Sequence, residues 1–247
     1  MIKEGDTVLL SGKRRIIVRV EPGMSRIGKG TADLSRLIGM EYGEKISLWG
    51  QDFTLYPASL RDMLNDFERG PQVIIPKDSA MIVHLCELRS GKRVLEAGVG
   101  SGWLTASLAS AVLPGGMVVS YDTSERSISI AGKNMEKAGL SDYSDIRKGD
   151  IRSVSIEESF DAAVLDMPAP WEALENIAGA LVPGGHLCAY VPTCNQVEKT
   201  VLAMKESFFD ISVRELIERE LNVKENATRP SFNGLMHTGF TIHARKR

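Results

Sequence analysis

RVLEAGVGSGWLTASLASAV, residues 93–112, sets a short apolar run, a glycine-rich turn and a helix-like stretch in immediate succession. The alternation then repeats down the chain: MVVSYD reads as a strand, SISIAGKNMEKA as a helix, YSDIRKGD and DAAVLD as strands, WEALENIAGALV as a helix, HLCAYV as a strand and NQVEKTVLAMKES as a helix. Strands joined by helical crossovers predict an α/β fold with a mostly parallel sheet covered on both faces. The last two strand-like segments, FFDISVRELIERE and MHTGFTIHARKR, have no helix between them and predict an antiparallel closing pair at one edge. Upstream, TVLL and IIVRV flank SGKRR, a hairpin pattern with Gly12 in the turn, and SLRDMLNDFERG reads as a short amphipathic helix ending at Gly70. The expected division is therefore a small N-terminal β domain with a linker helix over 1–68 and an α/β domain over 69–247.

In such a sheet, ligands bind outside the carboxyl ends of the strands, and the first strand-to-helix turn makes the central contact. Gly98, Gly100 and Gly102 in that turn allow close backbone approach, and the helix behind offers unpaired N–H groups. A dinucleotide fingerprint needs a third glycine where Trp103 stands, so NAD and FAD are disfavoured and another nucleoside ligand is preferred. Asp122, ending the next strand, is spaced to clamp ribose hydroxyls, and Asp150 after the third strand is placed to meet an adenine edge. Each residue alone also fits a turn or a helix cap; their joint order and spacing favour a ligand site.

Composition bounds the rest. The 247 residues are 43% hydrophobic with a formal net charge of −2, enough for one substantial core plus a smaller unit, and give no global case for nucleic acid. No run of eighteen apolar residues occurs, and the N-terminus lacks a signal-peptide layout, so a cytoplasmic protein without a membrane span is expected. Cys86, Cys188 and Cys194 show neither CxxC nor His spacing; no metal site is expected, and the thiols read as small buried groups. Two local basic knots stand out, one of Lys13, Arg14 and Arg15 and one of Arg245, Lys246 and Arg247.

VLEAGVGSGWLTASLA followed by GMVVSYD resembles the Rossmann-like fold of class I S-adenosylmethionine-dependent methyltransferases. RGPQVIIPKDSAMIV, LDMPAPW, YVPTCNQV and RPSFNGLMHTGFTIHARKR narrow the resemblance to the tRNA adenine-N1 methyltransferases, which make 1-methyladenosine in the T-loop. The resemblance implies S-adenosylmethionine as cofactor, tRNA as substrate (position 58, or 57 and 58) and a homotetramer. It adds Gln72, Val99, Ser101 and Ile151 to the cofactor-binding set of Gly98, Gly100, Gly102, Asp122 and Asp150, with Asp166 touching cofactor and substrate alike. Asp166, at the end of DAAVLD and fenced by Pro168 and Pro170, is the expected catalytic residue: a carboxylate there stabilises an adenine turning cationic. The prolines keep the chain beyond it out of helix, and Trp171 is read as an anchor for the next helix. Many relatives carry Tyr where Ile75 precedes Pro-Lys-Asp, so base stacking at that position is not expected. Lys77 and Asp78 fit an ion pair as well as a ligand contact, and His237 in the tail is read as a hydrogen-bonded structural residue. Two alternatives stay open: a methyltransferase for another substrate class, and a non-catalytic tRNA-binding partner on the same fold.

Overall fold

A computed structural model describes residues 1–27, 30–70, 73–232 and 237–247. Gln72 and Gly234, both carried by the family resemblance, lie outside the described residues.

The N-terminal unit contains β1 (Thr7–Ser11), β2 (Arg15–Arg19), β3 (Met24–Ile27), β4 (Gly30–Asp33), β5 (Lys45–Leu48) and β6 (Gln51–Pro57). The hairpin read around Gly12 is present, with Ser11 paired to Arg15. Strands order as β2-β1-β6-β5, with β3-β4 a separate ribbon, and Val8, Leu10, Phe53 and Leu55 fill a core of their own. The linker helix α1 (Leu60–Asp66) starts on a capping box between Ser59 and Asp62. It stops at Phe67, short of Gly70, because Phe67 turns extended. Leu64 and Phe67 then bury in the core of the larger sheet.

The larger unit runs through α2 (Pro76–Leu85), β7 (Arg93–Ala97), α3 (Trp103–Val112), β8 (Met117–Asp122), α4 (Glu125–Ala138), β9 (Ser144–Lys148), β10 (Phe160–Leu165), α5 (Leu174–Ala180), β11 (Leu181–Val191), α6 (Cys194–Met204), β12 (Phe208–Glu215), the short β13 (Leu221–Asn222) and β14 (Arg229–Pro230), and β15 (Phe240–Lys246). The seven-stranded sheet has the order β12-β15-β11-β10-β7-β8-β9. From β11 to β9 neighbouring strands are parallel, and β15 inserts antiparallel between β11 and β12, giving the expected closing pair. One face buries against α2, α3 and α4 through Ile82, Leu108 and Met135; the other packs under α5 and α6 through Ile177 and Met204. The central strands are apolar because both faces are covered: residues 162–165 of β10 are wholly buried.

One element is shorter than its pattern. The helix read over WEALENIAGALV is a 3-10 turn at Pro170–Glu172 and then α5, and Leu181 already belongs to the eleven-residue β11. Leu181 pairs with Phe160, so its side chain is claimed by the sheet before the helical pattern ends.

Candidate active site

The ends of β7, β8 and β10 are stitched together by backbone. Asp166 N–H donates to the Ala97 carbonyl at 2.8 Å, Gly98 N–H to Tyr121 at 3.0 Å, and Gly149 N–H to Asp122 at 3.1 Å. Gly98 has φ +90°, and a Cβ built on it would fall 1.9 Å from the Asp166 carbonyl oxygen. The glycine turn and the strand carrying Asp166 are thus in backbone contact. Gly100 also has positive φ, but a Cβ there would meet nothing within 4 Å. Its N–H donates to Asp122 Oδ2 at 3.2 Å, while Ser124 N–H holds Oδ1 at 2.8 Å, fixing the Asp122 carboxylate across the turn.

Two adjoining cavities open over these strand ends. One, about 380 Å³, is walled by Asp122, Asp150, Ile151, Asp166 and Met167. The other, about 780 Å³, runs past Arg69, Gly100, Arg126, Asp166, Tyr190 and Gln196. Gly98, Asp122, Asp166, Met167 and Pro168 line both, so Asp166 stands where the cavities meet. Both volumes fall in the range of small-molecule sites. Burial, with the Asp122 charge adding to it, pushes Asp166 up to about 6.

Residues 65–244 match the family described as the tRNA methyltransferase complex GCD14 subunit. The chain belongs to this family. A TrmI of Methanocaldococcus jannaschii, named as a tRNA (adenine(57)-N(1)/adenine(58)-N(1))-methyltransferase, is 34% identical, and the match covers 79% of each chain. Among solved structures, the tRNA (m1A58) methyltransferase TrmI of Aquifex aeolicus superposes with a TM-score of 0.77 at 30% identity, covering 100% of this chain and 98% of that one. A Thermotoga maritima protein described as a SAM-dependent O-methyltransferase gives 0.81 at 32% identity, covering 99% and 94%. The fold is the Rossmann-like class I methyltransferase fold.

Whether the family's cofactor fits is answered by the walls of the site. Ser101 Oγ and Glu96 Oε1, on and just before the glycine turn, are buried without a hydrogen-bond partner among the described residues. Gly100 leaves open space where a side chain would stand, and Asp122 presents a fixed carboxylate to the cavity. A nucleoside with a cationic centre suits this arrangement. Asp122, Asp150, Ile151 and Asp166 wall the cavity together with Gly98 and Gly100. Val99 and Ser101 are buried behind it, and Gly102 caps α3 against Ala131, shaping the turn from within.

Four residues of this site were not singled out in the sequence. Glu96, fully buried in β7, accepts from Thr105 at 2.7 Å and Ser120 at 2.6 Å, both on Oε2. Burial pushes it up to about 7 despite those two bonds, with Asp166 and Asp122 adding to the rise. An acidic residue inside an apolar strand was its signal. A carboxyl protonated more readily when folded stabilises the fold below its unfolded value near 4.3, and that contribution fades as pH rises through about 7. Glu96→Gln should therefore gain melting temperature over the native chain as pH goes from 5 to 8; a constant offset across that range would refute the buried titration.

Tyr190, Gln196 and Arg152 carried no local signal. Gln196 donates to the Pro168 carbonyl at 2.9 Å and accepts from Thr193, holding the loop after Asp166. Tyr190 reaches the site through a network: its hydroxyl and that of Thr238 donate to Asp78 Oδ2 at 3.0 and 2.8 Å, and Lys77 donates to Asp78 Oδ1 at 2.7 Å. Lys77 spends its other two donors on Thr238 and the Leu216 carbonyl. With Lys77 and Asp78 side chains 6% and 2% exposed, this is a buried, satisfied ion pair. His237 bonds Glu215 at 2.6 Å and the Pro192 carbonyl at 2.8 Å, and Trp171 packs on the α5–α6 side with Lys199 5.2 Å from its ring centre. Members of the basic knots also make contacts on their own chain: Arg15 pairs with Asp62, Arg14 lies over Trp49, Arg245 donates to Gly184 and Lys246 to Leu181, while Lys13, Arg14, Arg15 and Arg247 stay exposed.

Proposed function

We propose that this chain is the catalytic tRNA (adenine-N1)-methyltransferase that its relatives' names describe, acting on adenosine 58 of the T-loop with S-adenosylmethionine as donor. The observation that carries it is Asp166 at the junction of two cavities, one bounded by the ribose-clamp and adenine-edge aspartates and the other, running past Gly100 and Asp122 to Tyr190 and Gln196, taking the rest of the cofactor and the incoming base. The cofactor, when bound, supplies an electrophilic methyl group on a sulfonium. Adenine N1 has an in-plane lone pair and no proton, so no base need act before transfer. What it needs is charge stabilisation as the ring becomes cationic. The Asp166 carboxylate accepts from the exocyclic amine and lies in a site of reduced solvation, where its charge counts for more. Asp122 takes the ribose hydroxyls, Asp150 the adenine edge, and Gly98 to Gly102, Ile151 and Gln72 complete the cofactor contacts. The target adenosine must be splayed out of the folded loop to enter, since N1 is otherwise engaged in pairing or stacking.

The chain's small net negative charge leaves phosphate binding to local patches, and we propose a homotetramer that joins patches from several copies into one groove. A cytoplasmic location completes the proposal; no helix among the described residues is long and apolar enough to cross a membrane. Among those residues no cluster of His, Cys, Asp and Glu is arranged to hold a metal ion. The test incubates purified protein with labelled S-adenosylmethionine and unmodified tRNA, digests the product and maps 1-methyladenosine. Label at position 58, or at 57 and 58, supports the proposal. Label confined to hydroxyl acceptors or to protein would replace it with another methyltransferase, and no transfer with intact cofactor and tRNA binding would point to a partner subunit.

A further inference from the structure

The carboxylate read as the adenine contact is not free. Arg152 grips Asp150 with one edge of its guanidinium, Nε to Oδ1 at 2.9 Å and Nη2 to Oδ2 at 2.6 Å, and its own N–H reaches Oδ1 at 3.0 Å. The remaining arm, Nη1, donates to Glu172 Oε2 at 2.8 Å. Glu172 belongs to the turn that Asp166 reaches through residues 167–170, and Asp150 to the turn after β9; the smaller cavity is lined by residues 149–152 of the latter and by residues 166–169, which lead into the former. Asn176 of α5 pins the turn after β9 further, donating to the Ile151 and Val154 carbonyls at 2.7 and 2.9 Å.

We infer that Arg152 is a positioning residue that presents Asp150 to the cofactor's adenine in one fixed orientation and ties that contact to the loop carrying Asp166. The inference rests on the reading of Asp150 as the adenine contact. Its physical basis is the planar fork of arginine, which holds a carboxylate bidentately and fixes its plane, something a lysine point charge does not do. A carboxylate so held keeps lone pairs for one more donor, such as an exocyclic amine, and loses no rotamer freedom when it binds. Arg152 also draws Asp150 down to about 2, so the acceptor stays ionised at any working pH. Because the Arg152, Asp150 and Glu172 side chains are 32–47% exposed, the bridge is screened by solvent and adds little to fold stability. Variants here should fold normally.

Calorimetry with S-adenosylhomocysteine and S-inosylhomocysteine tests it, because inosine replaces the amine with a carbonyl. The native chain should prefer the adenosine form. Arg152→Gln should weaken that form about five- to tenfold, leave the inosine form within about twofold and shift the melting temperature little. Arg152→Lys should fail to restore the preference. Glu172→Ala, which removes the acceptor for Nη1 and so cuts only the tie between the turns, should keep the S-adenosylhomocysteine affinity while lowering kcat for tRNA several-fold. Unchanged affinity in Arg152→Gln while Asp150→Ala loses the preference would overturn the role of Arg152, as would equal weakening of both nucleosides. Unchanged kcat in Glu172→Ala would overturn the tie. If Asp150→Ala binds both forms like the native chain, it is the adenine reading of Asp150 that fails.

Discussion

Asp166→Asn should lower kcat by about 10²- to 10³-fold while cofactor affinity changes by less than about threefold, the signature of a group used mainly at the transition state. Asn keeps the shape and the acceptor oxygen but removes the charge that answers the cationic adenine. Asp166→Ala should be at least as severe in kcat. In the native enzyme the rate should rise with pH through about 6, because the carboxylate must be ionised and its pKa stands well above the usual range. The same shift reverses the effect on stability. A carboxyl that protonates more readily folded than unfolded favours the fold most below its unfolded value near 3.9, and that advantage is lost as pH climbs through about 6. At neutral pH the ionised Asp166 is therefore a cost, and Asp166→Asn should raise stability by about 1–3 kcal/mol, a gain that shrinks toward pH 4. Slower and more stable is what a functional carboxylate predicts; slower and less stable, or equal loss of cofactor binding and turnover, would make Asp166 a structural or ligand-holding residue instead.

How much of this was legible beforehand depended on whether the cause was local. Buried parallel strands are apolar on both faces, so runs such as DAAVL were readable, and so was the antiparallel closing pair, since nothing helical lies between its strands. Helix ends were less readable. Phe67 and Leu181 continue an acceptable helical pattern, and only the demand of the sheet and core for those side chains stops it. The strand-end carboxylates were found because their spacing is set by one βα unit each. Tyr190, by contrast, is oriented by Asp78, which lies 112 positions away, through Thr238 and Lys77, and no window of sequence contains that relation. Arg152 sits two residues from Asp150, but its value lies in reaching Glu172 as well, which requires the fold to bring two turns together. The tail motif shows both sides. His237, Thr238 and Gly239 stand out in the sequence, yet their work is to pin Pro192, complete the Asp78 network and lie flat against the Tyr190 ring.

Gly98→Ala should be the most damaging single methyl group among the described glycines. At φ +90° any L side chain is strained, a cost of about 1–3 kcal/mol by itself. The added Cβ would also lie 1.9 Å from the carbonyl oxygen and 2.8 Å from the carbonyl carbon of Asp166, both backbone atoms with no rotamer to yield. Relief requires β7 and β10 to part at their carboxyl ends, where Asp166 N–H bonds Ala97, and that moves Asp166 with them. The total should exceed about 4 kcal/mol, a large share of a domain's stability, and appear as a melting temperature lower by about 10 °C or more, with activity lost in any chain that still folds. Gly100→Ala is the matched comparison, two residues along the same turn. It too has positive φ, but its Cβ meets nothing within 4 Å, so it should cost only about 1–2 kcal/mol in the fold. Its methyl group instead stands in open space at the larger cavity, where the cofactor is proposed to lie, and its effect should appear in affinity. If the two alanines lower the melting temperature alike, backbone freedom in the turn is what matters, and the contact between Gly98 and Asp166 does not lock the site.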